Sequence, residues 1–207
     1  MGLQLVYAPQ VEPVDLDELK AYCGVDDGDA DWDTQLRTLL KSGRERAERI
    51  TGKGLINQQW RLNLKTFPAG SVFELPLPPL NWDTVGLVGP PAKAVDSIKY
   101  LDVNNNLQTV ATTEYTVDTT TTMGTIRPAY LKYWPTSLLS GWNIPNAVQV
   151  LFTAGYGATA DTVPAEIRER IKDYVKYCFD RGGIDSDQEY LDRLFAGLSC
   201  GSFYQTT

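Results

Sequence analysis

The chain has 207 residues, 43% of them hydrophobic, which excludes a wholly disordered polymer and allows one sizeable core or two small ones. Its 19 basic residues stand against 26 acidic ones, a formal net charge of -7, which excludes general adhesion to phosphate backbones or anionic membranes. Histidine is absent, and with it go Ser-His-Asp and Cys-His nucleophiles and the commonest zinc ligand.

The three cysteines, Cys23, Cys178 and Cys200, are odd in number and lack a CxxC pair, so neither a disulfide framework nor a zinc knuckle is expected. No window approaches the roughly 18 apolar residues of a spanning helix. The opening "MGLQLVYAPQVEP" lacks the basic flank of a signal peptide, and Val6 misses the myristoylation pattern. A soluble chain made in a reducing compartment, with no membrane partner, is expected.

After a Pro-punctuated start read as irregular, "VDLDELKAYCGV" predicts a short helix ending at Gly24, with Asp15 and Glu18 spaced as a capping box. The linker "DDGDAD" follows, and its last aspartate joins Asp33 where a helix N-terminus favours negative charge. Trp32, Leu36, Leu39, Leu40, Gly43, Ala47 and Ile50 then draw one stripe along a long helix that stops near Gly52. Gly43 in that stripe predicts the close approach of another backbone, and Arg44, Glu45, Arg46, Glu48 and Arg49 are expected on the charged surface.

From Gln58 to about Thr153 the period changes to two. "QQWRLNLKTF" alternates Trp60, Leu62 and Leu64 against Arg61, Asn63 and Lys65, as a half-buried strand does. Short runs of the same kind recur at "SVFELPL", "VDSIKYLDV", "LQTVA", "EYTVD", "GTIRP" and "AVQVLFTA", and predict a small antiparallel sandwich or barrel. "DVNNNLQ" reads as a hairpin turn, because asparagine tolerates positive φ. "PLPPLNWDTVGLVGPPAKAV", with five prolines, reads as a long loop.

Helical spacing returns in "TVPAEIRERIKDYVKYCFDRGG", where Ile167, Ile171, Tyr174, Val175, Cys178 and Phe179 share a face. A one-sided helix needs a partner. The expected fold is therefore α+β: a small helical bundle built from residues 1–56 and 156–198, a β domain inserted at 57–155, and a tail at 199–207.

The sheet-to-helix corner "VLFTAGYGATADTVPAEI" invites comparison with phosphate-binding loops. Gly155 and Gly157 are followed by no Walker lysine, and a Rossmann fingerprint lacks its third glycine. The expectation is a structural turn at Gly155, Gly157 and Pro164, with no cofactor.

The run Asp27, Asp29, Asp31 starts like a calcium loop, but Trp32 replaces its glycine and Thr38 its closing glutamate, so no metal is expected. Tyr130, Tyr133, Trp134 and Trp142 could pack in a core or stack on a sugar or base. A carboxylate hydrolase is not excluded, yet no catalytic residue can be named. Phe195, Leu198, Phe203 and Tyr204, past the last good stripe, read as an exposed terminal segment that is either disordered or, the reading preferred, a docking peptide.

In order, the pieces "VDLDELKAYCGV", "ERITGKGLINQQW" with "FP" following, "ELPLPPL", "VDSIKYLDVNNNLQTV", "FTAGYG" and "VPAEI" resemble the tailed-phage head-tail connector family, also called adaptor or head-completion proteins, in a long form with a β insertion. The likeness runs from Val14 to about Gly182. The chain departs from the family's pattern in its long 81–94 loop and in its Cys, Phe and Tyr tail.

The resemblance implies a non-enzymatic virion protein of the neck, made in the host cytoplasm. Copies, expected to number twelve, would form a ring beneath the portal protein. That ring would extend the channel for genomic DNA, which passes without specific binding, and dock a stopper, head-closure or tail-completion protein. The docking residues named above would then meet the portal. A tail or baseplate module binding carbohydrate or receptor, or a stopper subunit, are the competing readings.

Overall fold

The computed structural model describes residues 2–68, 73–74, 95–118, 124–136, 144–182 and 188–198. The 81–94 loop, Trp142, Cys200, Phe203 and Tyr204 lie outside the described residues. The described chain forms two compact units, one from 2–8 with 57–156 and one from 9–56 with 157–198.

In the helical unit α1 spans Leu16–Cys23, α2 Asp33–Thr51, α3 Ala165–Asp180 and α4 Gln188–Ala196. The stripe of α2 is buried at Leu36, Leu39, Leu40, Gly43 and Ala47, against the matching stripe of α3 at Ile167, Ile171, Tyr174, Val175 and Cys178. A Cβ on Gly43 would come within 2.8 Å of Tyr174 Cδ1, so the close approach belongs to an aromatic ring instead of the backbone expected.

Two local expectations fail because distant charges intervene. Asp15 occupies the N-cap of α1 but makes no capping hydrogen bond, and Glu18, the expected other half of the box, pairs with Lys172 of α3 at 2.9 Å. Arg44 and Arg46 are buried instead of lying on the charged surface. Each guanidinium is held by carboxylates: Arg44 by Glu12 and Glu48, both at 2.8 Å, and Arg46 by Asp192 of α4 at 2.6 Å.

The β unit holds a five-stranded antiparallel sheet in the order β1-β2-β8-β4-β5: Gly2–Tyr7, Gln58–Leu64, Val148–Ala154, Val95–Leu101 and Leu107–Thr109. A three-stranded sheet runs β3-β7-β6: Phe73–Glu74, Thr125–Pro128 and Tyr115–Asp118. Cross-strand partners share a face. The rows Leu62, Val150, Ile98 and Trp60, Phe152, Val95 therefore point the same way, and they join Tyr115 and Ile126 of the second sheet in one core. On the opposite face Asp96 accepts hydrogen bonds from Gln59 (2.7 Å) and Thr153 (3.2 Å).

The irregular lead-in expected at the N-terminus is instead strand β1, which pairs with β2 through Leu3↔Leu62 and Leu5↔Trp60. Its alternation of Leu3, Leu5 and Tyr7 was a strand signal, and the prolines follow it. The sandwich alternative fits two sheets on one core. A closed barrel does not, because among the described residues β1 and β5 remain unpaired edges. Asn105 takes φ 63° in the β4–β5 turn, as a hairpin asparagine can. Asp102 braces that turn by accepting from the Asn104 and Asn106 amides and from Gln108 Nε2, bonds that hold its carboxyl below the usual range.

Candidate interaction surfaces

At the sheet-to-helix corner Gly155 takes φ 152°, a value side-chain-bearing residues rarely adopt. Gly157 bridges Ile56, and a Cβ there would lie 2.5 Å from Thr162 Oγ1 and Cγ2. Thr162 closes the 3₁₀ turn Ala160–Thr162 by donating to the Thr159 carbonyl at 2.6 Å, and Pro164 stands as the N-cap of α3. The first turn of α3 carries Glu166, whose charge opposes a phosphate at that helix end. The geometry is that of a tight turn made by contact.

The acidic linker is organised around an internal cation. Lys20, buried in α1, donates through Nζ to the carbonyls of Asp27 (3.2 Å) and Asp29 (2.8 Å), and meets Asp33 Oδ1 at 2.6 Å. The Asp26 and Asp29 carboxylates accept from the Gly28 and Asp31 amides and so close backbone turns. No group of three or more His, Cys, Asp or Glu able to hold a metal ion occurs among the described residues.

The described carboxyl pushed above its ordinary value is Glu12, where burial outweighs the attraction of Arg44. It is tied to that arginine, whose Nε donates to Glu12 Oε2 at 2.8 Å. An open pocket of about 350 Å³ lies in the helical unit, lined by Ser42, Glu45, Arg46, Arg49, Tyr174 and Gln188. Of its two arginines, Arg46 is already occupied by Gln188 and Asp192.

The aromatic cluster separates into two kinds. Trp134 stacks on Phe67 with ring centroids 4.8 Å apart and planes 3° from parallel, so it is a packing residue. Tyr130 and Tyr133 are 90% and 84% exposed, with Leu131 between them at 76%. The turn that carries them is pinned: the Ala129 amide donates to the Glu114 carbonyl, the Lys132 amide to the Ala129 carbonyl, and Lys132 Nζ pairs with Glu114 at 3.0 Å. Leu131 holds φ 58°, a costly conformation for a leucine. Tyr130, Leu131 and Tyr133 thus stand together as exposed side chains on a braced turn.

Of the expected docking residues, Phe195 is fully buried, its ring 6.3 Å from that of Tyr174, because α4 folds back onto α2 and α3. Helical spacing from Leu191 to Phe195 carried that signal. Leu198 is half-buried and its carbonyl accepts from Lys53 Nζ at 3.2 Å. Sequence reasoning missed the β1 edge, whose Leu3, Leu5 and Tyr7 are exposed; Leu3 and Leu5 extend the core-facing side of the sheet, while a register shift sets Tyr7 opposite Gln59 on the other face.

No protein-family model and no curated protein matches the chain. Among solved structures it is similar in fold to a chain in the neck of an empty GTA particle computed with C6 symmetry. That match has a TM-score of 0.71 and 20% identity, and covers 96% of this chain and 95% of that one. A chain in the virion of a native gene transfer agent (GTA) particle matches over the same shares, with a TM-score of 0.70 and 19% identity. A third similar chain belongs to the neck of a native GTA particle computed with C12 symmetry, with a TM-score of 0.63 and 20% identity. At these identities the likeness is one of fold.

Proposed function

We propose that the chain is a structural subunit of the neck of a phage-like particle. In this reading it is a head-tail connector, or adaptor, whose identical copies form a ring beneath the portal, extend the DNA channel and present a platform to a stopper or tail-completion protein. The observation that carries the reading is the near-full-length likeness to a neck chain, which takes in the helices and both sheets together. C6 and C12 symmetry in the neighbours' particles supports a cyclic array, with twelve copies as the expected number. The role is structural and needs no catalytic residue, and a net charge of -7 suits a conduit that does not grip passing DNA.

The braced turn with Tyr130, Leu131 and Tyr133 is one surface offered to neighbours in such a neck. The segment beyond Gly197, with Leu198, Phe203 and Tyr204, remains the proposed portal-docking element, and Phe195 serves as its buried anchor instead of a contact. The same exposed tyrosines favour the rival reading of a glycan-binding module. Loss of glycan binding in Tyr130→Ala would support that rival.

The deciding measurement is sedimentation of the full chain alone and mixed with its cognate portal ring. Co-sedimentation in near-stoichiometric amounts, lost on truncation after Gly197, is expected. Absence of portal binding at every salt concentration would remove the connector reading.

A further inference from the structure

Both margins of the five-stranded sheet are open among the described residues, since β1 pairs only with β2 and β5 only with β4. A row of free backbone N–H and C=O groups is a template for another extended chain, and soluble proteins usually blunt it with lysine, proline or charge. Neither margin is protected in that way. The six residues of β1, GLQLVY, and the three of β5, LQT, contain no charge and no proline.

The side chains at the two margins add to this. Leu3 and Leu5 continue the rows Leu62, Val150, Ile98 and Trp60, Phe152, Val95 across the sheet, yet both are exposed, so the apolar side of the sheet runs out uncovered at β1. At the other margin Leu107 and, in the adjoining turn, Val103 are exposed.

Direction and charge favour a second copy as the occupant. In five antiparallel strands the first and last run the same way, so copies arrayed head to tail would lay β5 of one beside β1 of the next as a parallel pair. Such heterologous contacts close into a ring when the rotation between copies divides the circle. The stretches 9–56 and 157–207 hold 20 acidic and 13 basic residues, whereas the rest of the chain holds six of each. All the net charge thus belongs to the helical unit, and a joint made by the β units, which carry equal numbers of acidic and basic residues, brings no net like charge together.

We infer that the β5 margin of one copy pairs with the β1 margin of the next, making a strand-to-strand joint of the ring; this rests on the ring reading above. Gln4 and Leu107 lie on the face opposite the core rows, one on each margin, and both are exposed. The full chain carrying Gln4→Cys and Leu107→Cys, with Cys200→Ser and the buried Cys23 and Cys178 left in place, is bound to the portal ring and treated with a short bismaleimide. Labelling with a monofunctional maleimide first establishes that both new thiols react.

A ladder of covalent dimers, trimers and higher species is expected from the double variant, and monomer alone from either single variant. Dimers from Gln4→Cys alone would mean that β1 pairs with β1, and would overturn the joint. Multiple copies on the portal without a ladder would also overturn it while leaving the ring reading intact. Absence of any portal-bound assembly, in the variant and the natural chain alike, would remove both.

Discussion

Single residues in this protein are decided by what lies opposite them. Gly157 is required by contact, because a methyl group there meets Thr162 at 2.5 Å. Gly157→Ala should lower stability by about 1–3 kcal/mol, the usual cost of forcing an atom into a filled site. A urea unfolding curve would read that loss, and nucleotide binding should be undetectable in both forms.

Glu12 is a second case. Its carboxyl is raised by burial ahead of the opposing pull of Arg44. A raised folded value means that the group's contribution is full below the unfolded value, 4.5, and is lost as pH rises through the folded one. Glu12→Gln keeps an oxygen to accept from Arg44 Nε and removes the buried charge. The melting temperature of the variant relative to the natural chain should therefore be more favourable at about pH 7 than at about pH 4, and a difference independent of pH would refute the assignment.

Among the elements, α4 shows how a short helix is retained. Nine residues are too few to persist alone in water. Leu191 and Phe195 are buried, and Arg46 of α2 reaches across to Asp192 Oδ1 with two bonds (2.6 and 2.9 Å) and to the Gln188 side chain (2.7 Å) and carbonyl (2.9 Å). Hydrogen bonds to a charged group contribute about 1.5–3 kcal/mol, here toward the lower end because Asp192 is half in solvent. Arg46→Ala should release α4 before the rest of the unit. Hydrogen exchange should then speed up across 188–198 while α2 and α3 remain protected; uniform acceleration would mean that the arginine supports the whole unit.

For the molecule as a whole, the helical and strand periods were legible in the sequence, because each is a property of neighbours along the chain. The stripe from Leu36 to Ala47 and the alternation at Gln58–Leu64 needed nothing distant to be recognised. The expectation of a turn at Gly155 had the same local basis. Burial of Arg44 and Arg46, the diversion of Glu18 to Lys172, the role of Lys20 as the cation of the acidic linker and the covering of Phe195 all depend on partners brought from far along the chain. So do the two open sheet margins, because an edge exists only once the strand order is set. Local spacing was enough to mark the helices and most of the strands, β1 excepted; which charges are enclosed and which sheet margins lie open among the described residues follows from contacts between distant segments, which local spacing does not encode.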